Sequence, residues 1–485
     1  DGGREGVPWR VFVKGVHSGQ DHWDYLRPDG TRYLRTPADS MLGTTLVLDH
    51  QERVVADHDG LGDLWRWWTL QLLPPAGPVF LISDCRFVTF ELGFLNEPRV
   101  HLLHQMHNPH QSGTRQWNSP VSQDYHQAME SISSLDMLSV FTKRQAVDVE
   151  LAYGSRDNLA VIPHPIEAVK EPDPLPPREH GRIVMVAPLE PQKRIDLAIS
   201  AFEIVAAKNA LARLDIYGDG PDRDALEAQI LDSGLGQRVT LHGHDPRASD
   251  QFWTADLGWL TSAFEGFPHV LLEGRVRKCP FVSFDIPYGP DEHIVDGVDS
   301  VLVPAGDVAR LADATLSLLA DSELLESMRE PARQTALVNG YENFVALWAA
   351  ACQSAHTQKP QRTSIARASF ESSVLQFKGA RPQIKGVVRL NGTGDRMELR
   401  VRWQTWLPES PAPVELPLDV QLEGDLIHVS GKANSSELPF SPGDPRATSR
   451  LLIEWANSTY SLPLVAKKRA SPTKRIARRV RKLVR

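Results

Sequence analysis

The sequence predicts an α/β protein with two doubly wound sheets and β-rich segments added near both ends. Residues 183–350 alternate short apolar runs with segments of helical periodicity. Residues 79–163 repeat this pattern more weakly, and residues 370–465 carry strand-like patterns separated by Gly and Pro turns. Alternating strands and helices are typical of parallel sheets covered on both faces, whereas the last segment predicts a small β-sandwich or barrel.

The alternation is clearest after a Pro-rich linker at residues 172–177, and we expect an α/β domain over 178–355. Helical spacing predicts helices over 195–207 and 222–233. Short apolar runs predict buried parallel strands. These runs are Arg182–Ala187, Leu214–Tyr217, Val239–His242, Leu257–Leu260 and Pro280–Phe284.

A second α/β domain is expected within residues 1–165. Its predicted strands are Val79–Ile82, Val100–His104, Met137–Phe141 and Leu159–Pro163. Before them, residues 9–58 alternate polar and apolar positions, with turn signals at Pro28–Gly30 and His58–Gly60. This pattern predicts a β-hairpin-rich insertion over about residues 9–60.

The composition is that of an ordinary globular protein. Of 485 residues, 41% are hydrophobic and 24% are charged. The sequence contains no run of about 20 apolar residues, which is the pattern that predicts a transmembrane helix. Three widely spaced cysteines, Cys85, Cys279 and Cys352, argue against a disulfide framework or a zinc site and suit a reducing cytosol. The chain begins at Asp1 rather than Met, as a fragment would.

The charge is distributed unevenly. The net charge is −8, and residues 467–485 contain ten Lys or Arg and no acid, which leaves −18 on the preceding residues. A helix over this tail would place Ile476, Val480, Leu483 and Val484 largely on one side, which favours a membrane-surface helix. A disordered basic tail is the alternative. RNA binding is less favoured because no aromatic residues are interleaved.

Two glutamates frame the most informative segment. Glu265 and Glu273 lie eight positions apart across a Gly-Phe-Pro turn that leads into an apolar run. A helix begun near Pro268 would point its first amides at whatever lies over the turn, an arrangement suited to phosphate or sugar oxygens. A solvated helix face with an acid near its N-terminus is the simpler interpretation of this spacing alone.

Several stretches together resemble family 4 of the retaining glycosyltransferases, within the group that adds sugars to wall teichoic acid or Ser-rich adhesins. The resemblance covers roughly residues 10–350 and implies the glycosyltransferase-B fold, with two Rossmann-like domains. The stretches that carry it are Val184–Asp196, Tyr217–Pro221, Glu265–Glu273, Phe284–Pro290 and Asn158–Pro165.

The resemblance also implies roles for individual residues. Glu273 would hold the ribose hydroxyls and Glu265 the donor sugar, while Lys193, helped by Arg194, would hold the diphosphate and stabilise its developing charge. A histidine near the reacting carbon would be His107, with His104 as second choice. The remaining expected donor-site residues are Gly218, Gly266, Phe267 and His269, the last three through their amides.

One position departs from the family pattern. An arginine that pairs with the diphosphate is expected five residues before the lysine, but this chain has Pro188 there. Arg194 or an arginine from 275–277 would have to compensate. Without compensation, activity would be reduced or the chain would be a non-catalytic relative.

The predicted function is retaining transfer of a hexose, glucose or GlcNAc, from a UDP-sugar to a hydroxyl of a polymeric acceptor such as poly(glycerol phosphate). The UDP-sugar is a co-substrate, and no metal or other cofactor is expected. We expect no nucleic-acid partner, a cytoplasmic location, and contact of the basic tail with the inner membrane face. A homo-oligomer formed through the β-insertion or β-domain stays open.

Three alternatives are kept. One is another enzyme on the same fold, a nucleotide-sugar 2-epimerase or a glycogen-type phosphorylase. Another is a non-catalytic partner that binds glycan or a sister transferase, which Pro188 favours. In the third, residues 370–465 form a carbohydrate-binding module in which Trp403, Trp406 and Trp455 stack on sugars, although core tryptophans are the more ordinary interpretation.

Overall fold

The computed structural model divides the chain into two compact units. The first comprises Asp1–Gln105 and Gln123–Leu138, and the second comprises Met106–Ser122 and Ser139–Arg485. The residues that the structure describes are 10–14, 21–38, 43–93, 95, 97–113, 115–125, 129, 132, 135–154, 157–358, 365–378, 381–392, 399–407, 410, 412–433, 437–438, 448–455 and 458–464. The basic tail at 467–485, for which a membrane-surface helix and a disordered segment are both open, lies outside them.

The first unit begins with a five-stranded antiparallel sheet in sequence order. Its strands are β1 (Arg10–Val13), β2 (His22–Leu26), β3 (Arg32–Pro37), β4 (Thr44–Leu48) and β5 (Val54–Asp59). The predicted turn at Pro28–Gly30 joins β2 to β3. At His58–Gly60 the chain forms no hairpin, because Gly60, with φ of +86°, turns it directly into a helix.

That helix starts the α/β part of the first unit. It is followed by a parallel strand pair, β6 and β7, separated by a second helix. The elements are α1 (Gly60–Leu72), β6 (Val79–Ser83), α2 (Arg86–Leu92) and β7 (Val100–Gln105). The alternation continues through β8 (Met137–Val140), which passes into the second unit at Ser139, and then through α3 (Lys143–Tyr153) and β9 (Leu159–Val161) of the second unit. All four predicted strands of this half are therefore present.

The second unit contains a six-stranded, fully parallel sheet in the order β12-β11-β10-β13-β14-β15. Its strands are β10 (Arg182–Val186), β11 (Arg213–Tyr217), β12 (Val239–Gly243), β13 (Leu257–Leu260), β14 (Phe281–Asp285) and β15 (Val301–Pro304). The helices between and after them are α4 (Ile195–Lys208), α5 (Arg223–Asp232), α6 (His269–Arg275), α7 (Pro290–His293), α8 (Val308–Ala320), α9 (Ser322–Leu337) and α10 (Tyr341–Gln358).

The central strands are apolar on both faces because helices cover both. Ile183 packs into a core with Phe202 of α4 and Trp259 of β13 on one face. Its neighbour Val184 faces the opposite side and packs with Phe252. This two-sided burial explains why the strands appear in the sequence as continuous apolar runs rather than as alternating patterns.

A β-sandwich follows α10. One antiparallel sheet has the order β16-β17-β21-β20, and the other has the order β19-β18-β22-β23. The strands are β16 (Ile365–Lys378), β17 (Arg381–Gly392), β18 (Arg400–Trp406), β19 (Val414–Leu416), β20 (Asp419–Glu423), β21 (Leu426–Lys432), β22 (Thr448–Trp455) and β23 (Ser458–Leu464). Trp403 is fully buried between the sheets and Trp406 is 6% exposed, so both are core residues rather than an exposed sugar platform.

None of the helices in the described ranges combines the length and apolarity needed to span a membrane.

A buried ion pair fixes α6. Arg275 Nη2 lies 2.6 Å from Asp299 Oδ2, and Thr335 of α9 donates to the same carboxylate oxygen at 2.7 Å. Both charged side chains of the pair are fully buried.

Replacing Arg275 by Met should strongly destabilise the second unit, because Asp299 would be left buried and uncompensated. We expect a loss of about 3–5 kcal/mol in the free energy of unfolding, measured by urea titration. The control is Lys208→Met, which removes an exposed pair with Asp313 and should cost less than about 1 kcal/mol. Equal losses in the two variants would contradict this interpretation of the Arg275 pair.

Candidate functional site

The strand order of the six-stranded sheet reverses between β10 and β13. From β10 the chain proceeds outward through β11 and β12, then returns to the other side of β10 with β13. The loops after β10 and β13 therefore leave adjacent strand ends in different directions. In open α/β sheets, ligands bind at the carboxyl ends of strands where the order reverses. The topology alone thus points to residues 187–194 and 261–268.

Three hydrogen bonds fasten these two loops together. Gln192 donates from Nε2 to the Phe264 carbonyl at 3.0 Å and accepts from the Ala263 amide through its own carbonyl at 2.8 Å. Thr261 Oγ1 donates to the Lys193 carbonyl at 2.9 Å. The short helical turn Pro191–Lys193 is therefore held directly against the segment that carries Glu265.

Lys193 and Glu265 form the charged centre of the site. Lys193 Nζ lies 2.7 Å from Glu265 Oε1, and Ser262 Oγ donates to the same oxygen at 2.6 Å. Glu265 is 7% exposed, so its charge is compensated by these two donors rather than by solvent. An ammonium has three N–H donors, so Lys193 retains donors beyond the one that it gives Glu265.

The backbone at Gly266 passes very close to the loop that follows β7. A Cβ placed on Gly266 would lie 1.7 Å from the His107 carbonyl oxygen and 3.0 Å from Asn108 Cα. Only glycine permits this approach. The structure therefore brings two predicted site residues, His107 and Gly266, into contact within the second unit.

His104, our second choice for the catalytic histidine, has a different environment. Its ring is 1% exposed within the first unit, and Nδ1 lies 2.9 Å from Thr89 Oγ1 and 3.0 Å from the Ser83 carbonyl. These contacts hold the His104 ring in the packing of its own unit. The geometry around Gly266 therefore favours His107 over His104.

Histidine rings surround Phe267. The His164 ring lies 4.4 Å from the His269 ring and 5.5 Å from the His107 ring, and the His293 ring contacts Phe267 edge-on at 4.6 Å. Burial, with contributions from His269 and His107, lowers the pKa of His164 to about 4. Burial, followed by Arg275 and His269, lowers the pKa of His293 to about 3. Both rings are therefore neutral at physiological pH.

Glu273 lies one turn inside α6, as expected. Ser249 Oγ donates to Glu273 Oε2 at 2.6 Å, which orients the carboxylate from outside the helix. The helix itself has only seven residues, and the His269 amide donates to the Phe267 carbonyl at 3.0 Å. The His269 amide is thus already engaged inside the turn.

Arg194 and Gly218 shape the loops around the centre. Arg194 adopts a left-handed conformation, with φ of +48°, and pairs with Asp196 at 3.0 Å. A Cβ on Gly218, whose φ is +148°, would lie 1.9 Å from the Ala187 carbonyl. Gly218 therefore allows the loops after β10 and β11 to pack in contact. These contacts define the local packing of both residues.

The loop after β14 holds the backbone of Glu265. The Tyr288 amide donates to the Glu265 carbonyl at 2.8 Å, and the Glu265 amide donates to the Pro287 carbonyl at 2.9 Å. The Tyr288 hydroxyl lies 2.5 Å from Asp148 Oδ2 and 3.1 Å from Gln111 Oε1. Burial raises the pKa of both Tyr288 and Asp148. Asp148 and Gln111 were not predicted, because no local pattern links them to residue 288.

The C-terminal β-sandwich anchors the loop at residues 106–122, which carries His107. Trp117 donates from Nε1 to the Ser410 carbonyl at 3.0 Å, and its ring lies 5.3 Å from that of Trp406. Asn118 donates from Nδ2 to the Leu407 carbonyl at 2.9 Å. The β-sandwich is therefore in contact with the same loop as the site.

The acidic and histidine side chains of the site are not grouped as metal ligands. Across the described ranges, no three His, Cys, Asp or Glu side chains are arranged to hold a metal ion. Lys193 and Ser262 donate hydrogen bonds to Glu265, and Ser249 donates one to Glu273.

This architecture is the glycosyltransferase-B fold, and residues 170–335 match the family model described as glycosyl transferases group 1. Residues 170–335 are therefore similar to group 1 glycosyl transferases. A crystal structure of an S. aureus TarM mutant in complex with fondaparinux, alpha-GlcNAc-glycerol and UDP superimposes on this chain with a TM-score of 0.64 at 20% identity. The superposition covers 71% of this chain and 69% of that chain.

Two curated relatives match parts of the chain. The Bacillus subtilis poly(glycerol-phosphate) alpha-glucosyltransferase is 28% identical over 245 residues, which is 50% of this chain and 36% of that protein. A Streptomyces coelicolor exopolysaccharide phosphotransferase is 37% identical over 206 residues, which is 41% of this chain and 21% of that protein. The matched regions thus span well under half of either relative.

Gly266→Ala should destabilise the second unit, because the added methyl group would clash with the His107 carbonyl. A backbone carbonyl cannot move aside as the end of a flexible side chain can. We expect a loss of about 1–3 kcal/mol in the free energy of unfolding. Gly236→Ala is the control, since its added Cβ meets nothing closer than 3.8 Å. Chemical denaturation of both variants tests this, and an unaffected Gly266→Ala protein would disprove the close approach.

The buried histidines should make the fold sensitive to acid. The pKa of His293 is depressed below its unfolded value of about 6.5, so the unfolded chain binds more protons and stability falls as pH falls. His293→Phe keeps an aromatic ring against Phe267 and should reduce the slope by about 1.4 kcal/mol per pH unit between pH 6 and 4. The exposed His50→Gln control should retain the wild-type slope, and an unchanged slope in His293→Phe would refute this assignment.

Proposed function

We propose that this chain is a retaining glycosyltransferase that moves a hexose from a UDP-sugar to a hydroxyl of a polymeric acceptor. The observation that carries the proposal is the convergence at the sheet's reversal point of Lys193, Glu265 and the Gly266–His107 contact. The resemblance of the glutamate pair to retaining enzymes supports retention. The poly(glycerol-phosphate) alpha-glucosyltransferase among the relatives supports the acceptor class.

The proposed chemistry is displacement of the nucleoside diphosphate from the anomeric carbon. The bond between that carbon and the phosphate oxygen breaks, and the β-phosphate gains negative charge. Lys193 has N–H donors beyond the one given to Glu265, so it can stabilise this charge while the ion pair persists. The acceptor hydroxyl attacks the anomeric carbon from the face that the diphosphate leaves and forms the new glycosidic bond. The leaving phosphate takes the proton of that hydroxyl.

Each remaining site residue has a binding role in this proposal. Glu265 accepts hydrogen bonds from sugar hydroxyls, and Glu273, oriented by Ser249, accepts them from the ribose. His107 faces the donor sugar. His164 and His293 stay neutral, which spares the developing positive charge on the sugar a repulsive neighbour. No protein nucleophile takes part.

The proposed co-substrate and acceptor set the cellular context. A UDP-sugar and side-chain cations suffice, so no metal is required. Glucose and GlcNAc are the candidate donor sugars, and poly(glycerol phosphate) is the candidate acceptor. A basic tail meeting an anionic membrane face would bring the chain to such an acceptor at the cytoplasmic side.

The second candidate is a non-catalytic partner that keeps the fold and binds nucleotide or glycan. Pro188 favours it, because proline supplies no charge where the family pattern has arginine. The arginines considered as compensation are already engaged. Arg194 pairs with Asp196 at 3.0 Å, Arg275 is buried against Asp299, and Arg277 pairs with Asp250 at 2.9 Å. UDP affinity without sugar transfer would identify this function.

The test is calorimetric titration of UDP, GDP and ADP into the wild-type chain and Glu273→Ala, followed by UDP-glucose and UDP-GlcNAc turnover with a glycerol-phosphate oligomer. We expect wild type to bind UDP and Glu273→Ala to bind it at least about 10-fold more weakly, because a charged hydrogen-bond acceptor contributes about 1.5–3 kcal/mol. Lys193→Met should reduce turnover by about 100-fold or more.

Glu227→Gln is the control, since it removes a carboxylate from the exposed face of α5 and should leave UDP binding unchanged. UDP binding with no transfer to any acceptor would favour the non-catalytic partner. Failure of the wild-type chain to bind any of the three nucleotides would refute the proposed function.

A further inference from the structure

Most basic side chains around the site are neutralised by an acid within the protein. The pairs are Lys193 with Glu265, Arg194 with Asp196, Arg144 with Asp291, Arg275 with Asp299, and Arg277 with Asp250. A negatively charged phosphate group would have to compete with these carboxylates for each cation. The position of any basic group without an acidic partner is therefore informative.

Arg115 is such a group. Its Cζ lies 3.3 Å from the centre of the Phe264 ring, and Phe264 directly precedes Glu265. One Nη1–H donates to the Gln111 carbonyl at 2.6 Å. Within the described ranges, Arg115 has no ion pair with a carboxylate. Its guanidinium therefore carries an uncompensated positive charge, and the ring on which it stacks belongs to the residue next to Glu265.

Arg115 is also held in place from two sides. Its acceptor residue, Gln111, contacts the Tyr288 hydroxyl through Oε1 at 3.1 Å, and Tyr288 is bonded to the backbone of Glu265. Two residues further along, Trp117 is fastened to the β-sandwich. Both flanks of Arg115 are thus tied to structures that also position the site, which reduces the ordering cost of binding.

We propose that Arg115 binds a phosphate group of a substrate beside Glu265. This inference rests on the proposed function, in which both substrates carry phosphate: the nucleoside diphosphate of the donor and the repeating phosphates of the acceptor. A guanidinium has five N–H donors in a planar fork that matches two phosphate oxygens. The Phe264 ring supports the plane of that fork, and N–H donors beyond the one given to the Gln111 carbonyl remain for a ligand.

Phosphate fits this position better than a neutral sugar does. Stacking on Phe264 satisfies the face of the guanidinium, so a ligand meets its N–H edge, where a bidentate, charge-assisted pair is strongest. Burial lowers the pKa of Arg115, yet an arginine remains charged at any physiological pH. An anion stabilises a half-buried cation that has no acidic partner more than it stabilises a fully exposed cation, because water screens the exposed cation.

The experiment compares wild type with Arg115→Gln by calorimetry, using uridine, UDP and a short glycerol-phosphate oligomer titrated in the presence of UDP. Uridine affinity should be unchanged. If Arg115 holds the donor diphosphate, UDP affinity falls about 10-fold or more. If it holds an acceptor phosphate, UDP affinity is retained and affinity for the oligomer falls by a similar factor. Either result supports the proposal and identifies the source of the phosphate.

Arg310→Gln is the matched control, because it removes the same charge from an exposed position on α8 and should bind all three probes as wild type does. Wild-type affinity of Arg115→Gln for both UDP and the oligomer overturns the proposal while leaving the proposed function standing. Failure of the wild-type chain itself to bind UDP overturns both.

Arg115→Lys provides a second variant in case Arg115→Gln does not fold. Lysine keeps the charge but lacks the planar fork. We expect Arg115→Lys to bind the affected probe about 3- to 10-fold more weakly than wild type, an effect within the range of a lost charge-assisted bond. Wild-type affinity of Arg115→Lys for both probes would overturn the assignment of a bidentate phosphate contact.

Discussion

The reversal of strand order between β10 and β13 is the constraint on which the site depends. Because the two strands are parallel neighbours, their carboxyl ends lie side by side, and the chain must leave them in opposite directions. The space between the departing loops is where Lys193 and Glu265 meet, although they are 72 residues apart. The fastening of Gln192 to Phe264 then turns two independent loops into one surface.

The sequence was sufficient for the fold class, because that class depends on local patterns, and the family resemblance supplied Lys193 and Glu265 as candidate site residues. Buried parallel strands appear as apolar runs, and the glutamate pair lies on one continuous segment. What it could not supply were contacts between distant segments. Tyr288 reaches Asp148 across 140 residues, and His164 joins His269 from a separate loop. Such pairs leave no periodic or spacing signal in a single chain, so only the folded structure identifies them.

Charge compensation distinguishes the parts of this site. Lys193 and Glu265 compensate each other, which makes burial of Glu265 tolerable, but an isolated pair leaves little net charge to attract an anion. His164 and His293, which are neutral at physiological pH, add none. A net positive charge available to a phosphate must therefore come from outside the pair. Among the described residues of this region, Arg115 provides such a charge, and the remaining N–H donors of Lys193 add hydrogen bonds without adding net charge.

The β-sandwich belongs to this argument as well. A loop that carries His107 at one end and Trp117 at the other would pay a large entropic cost if it had to become ordered only when a substrate binds. Trp117 and Asn118 instead bond to the carbonyls of Ser410 and Leu407, and Gly266 packs against the His107 carbonyl. The loop is thus fixed at both ends before any ligand arrives. On this account, the appended domain acts on the site by holding this loop in position.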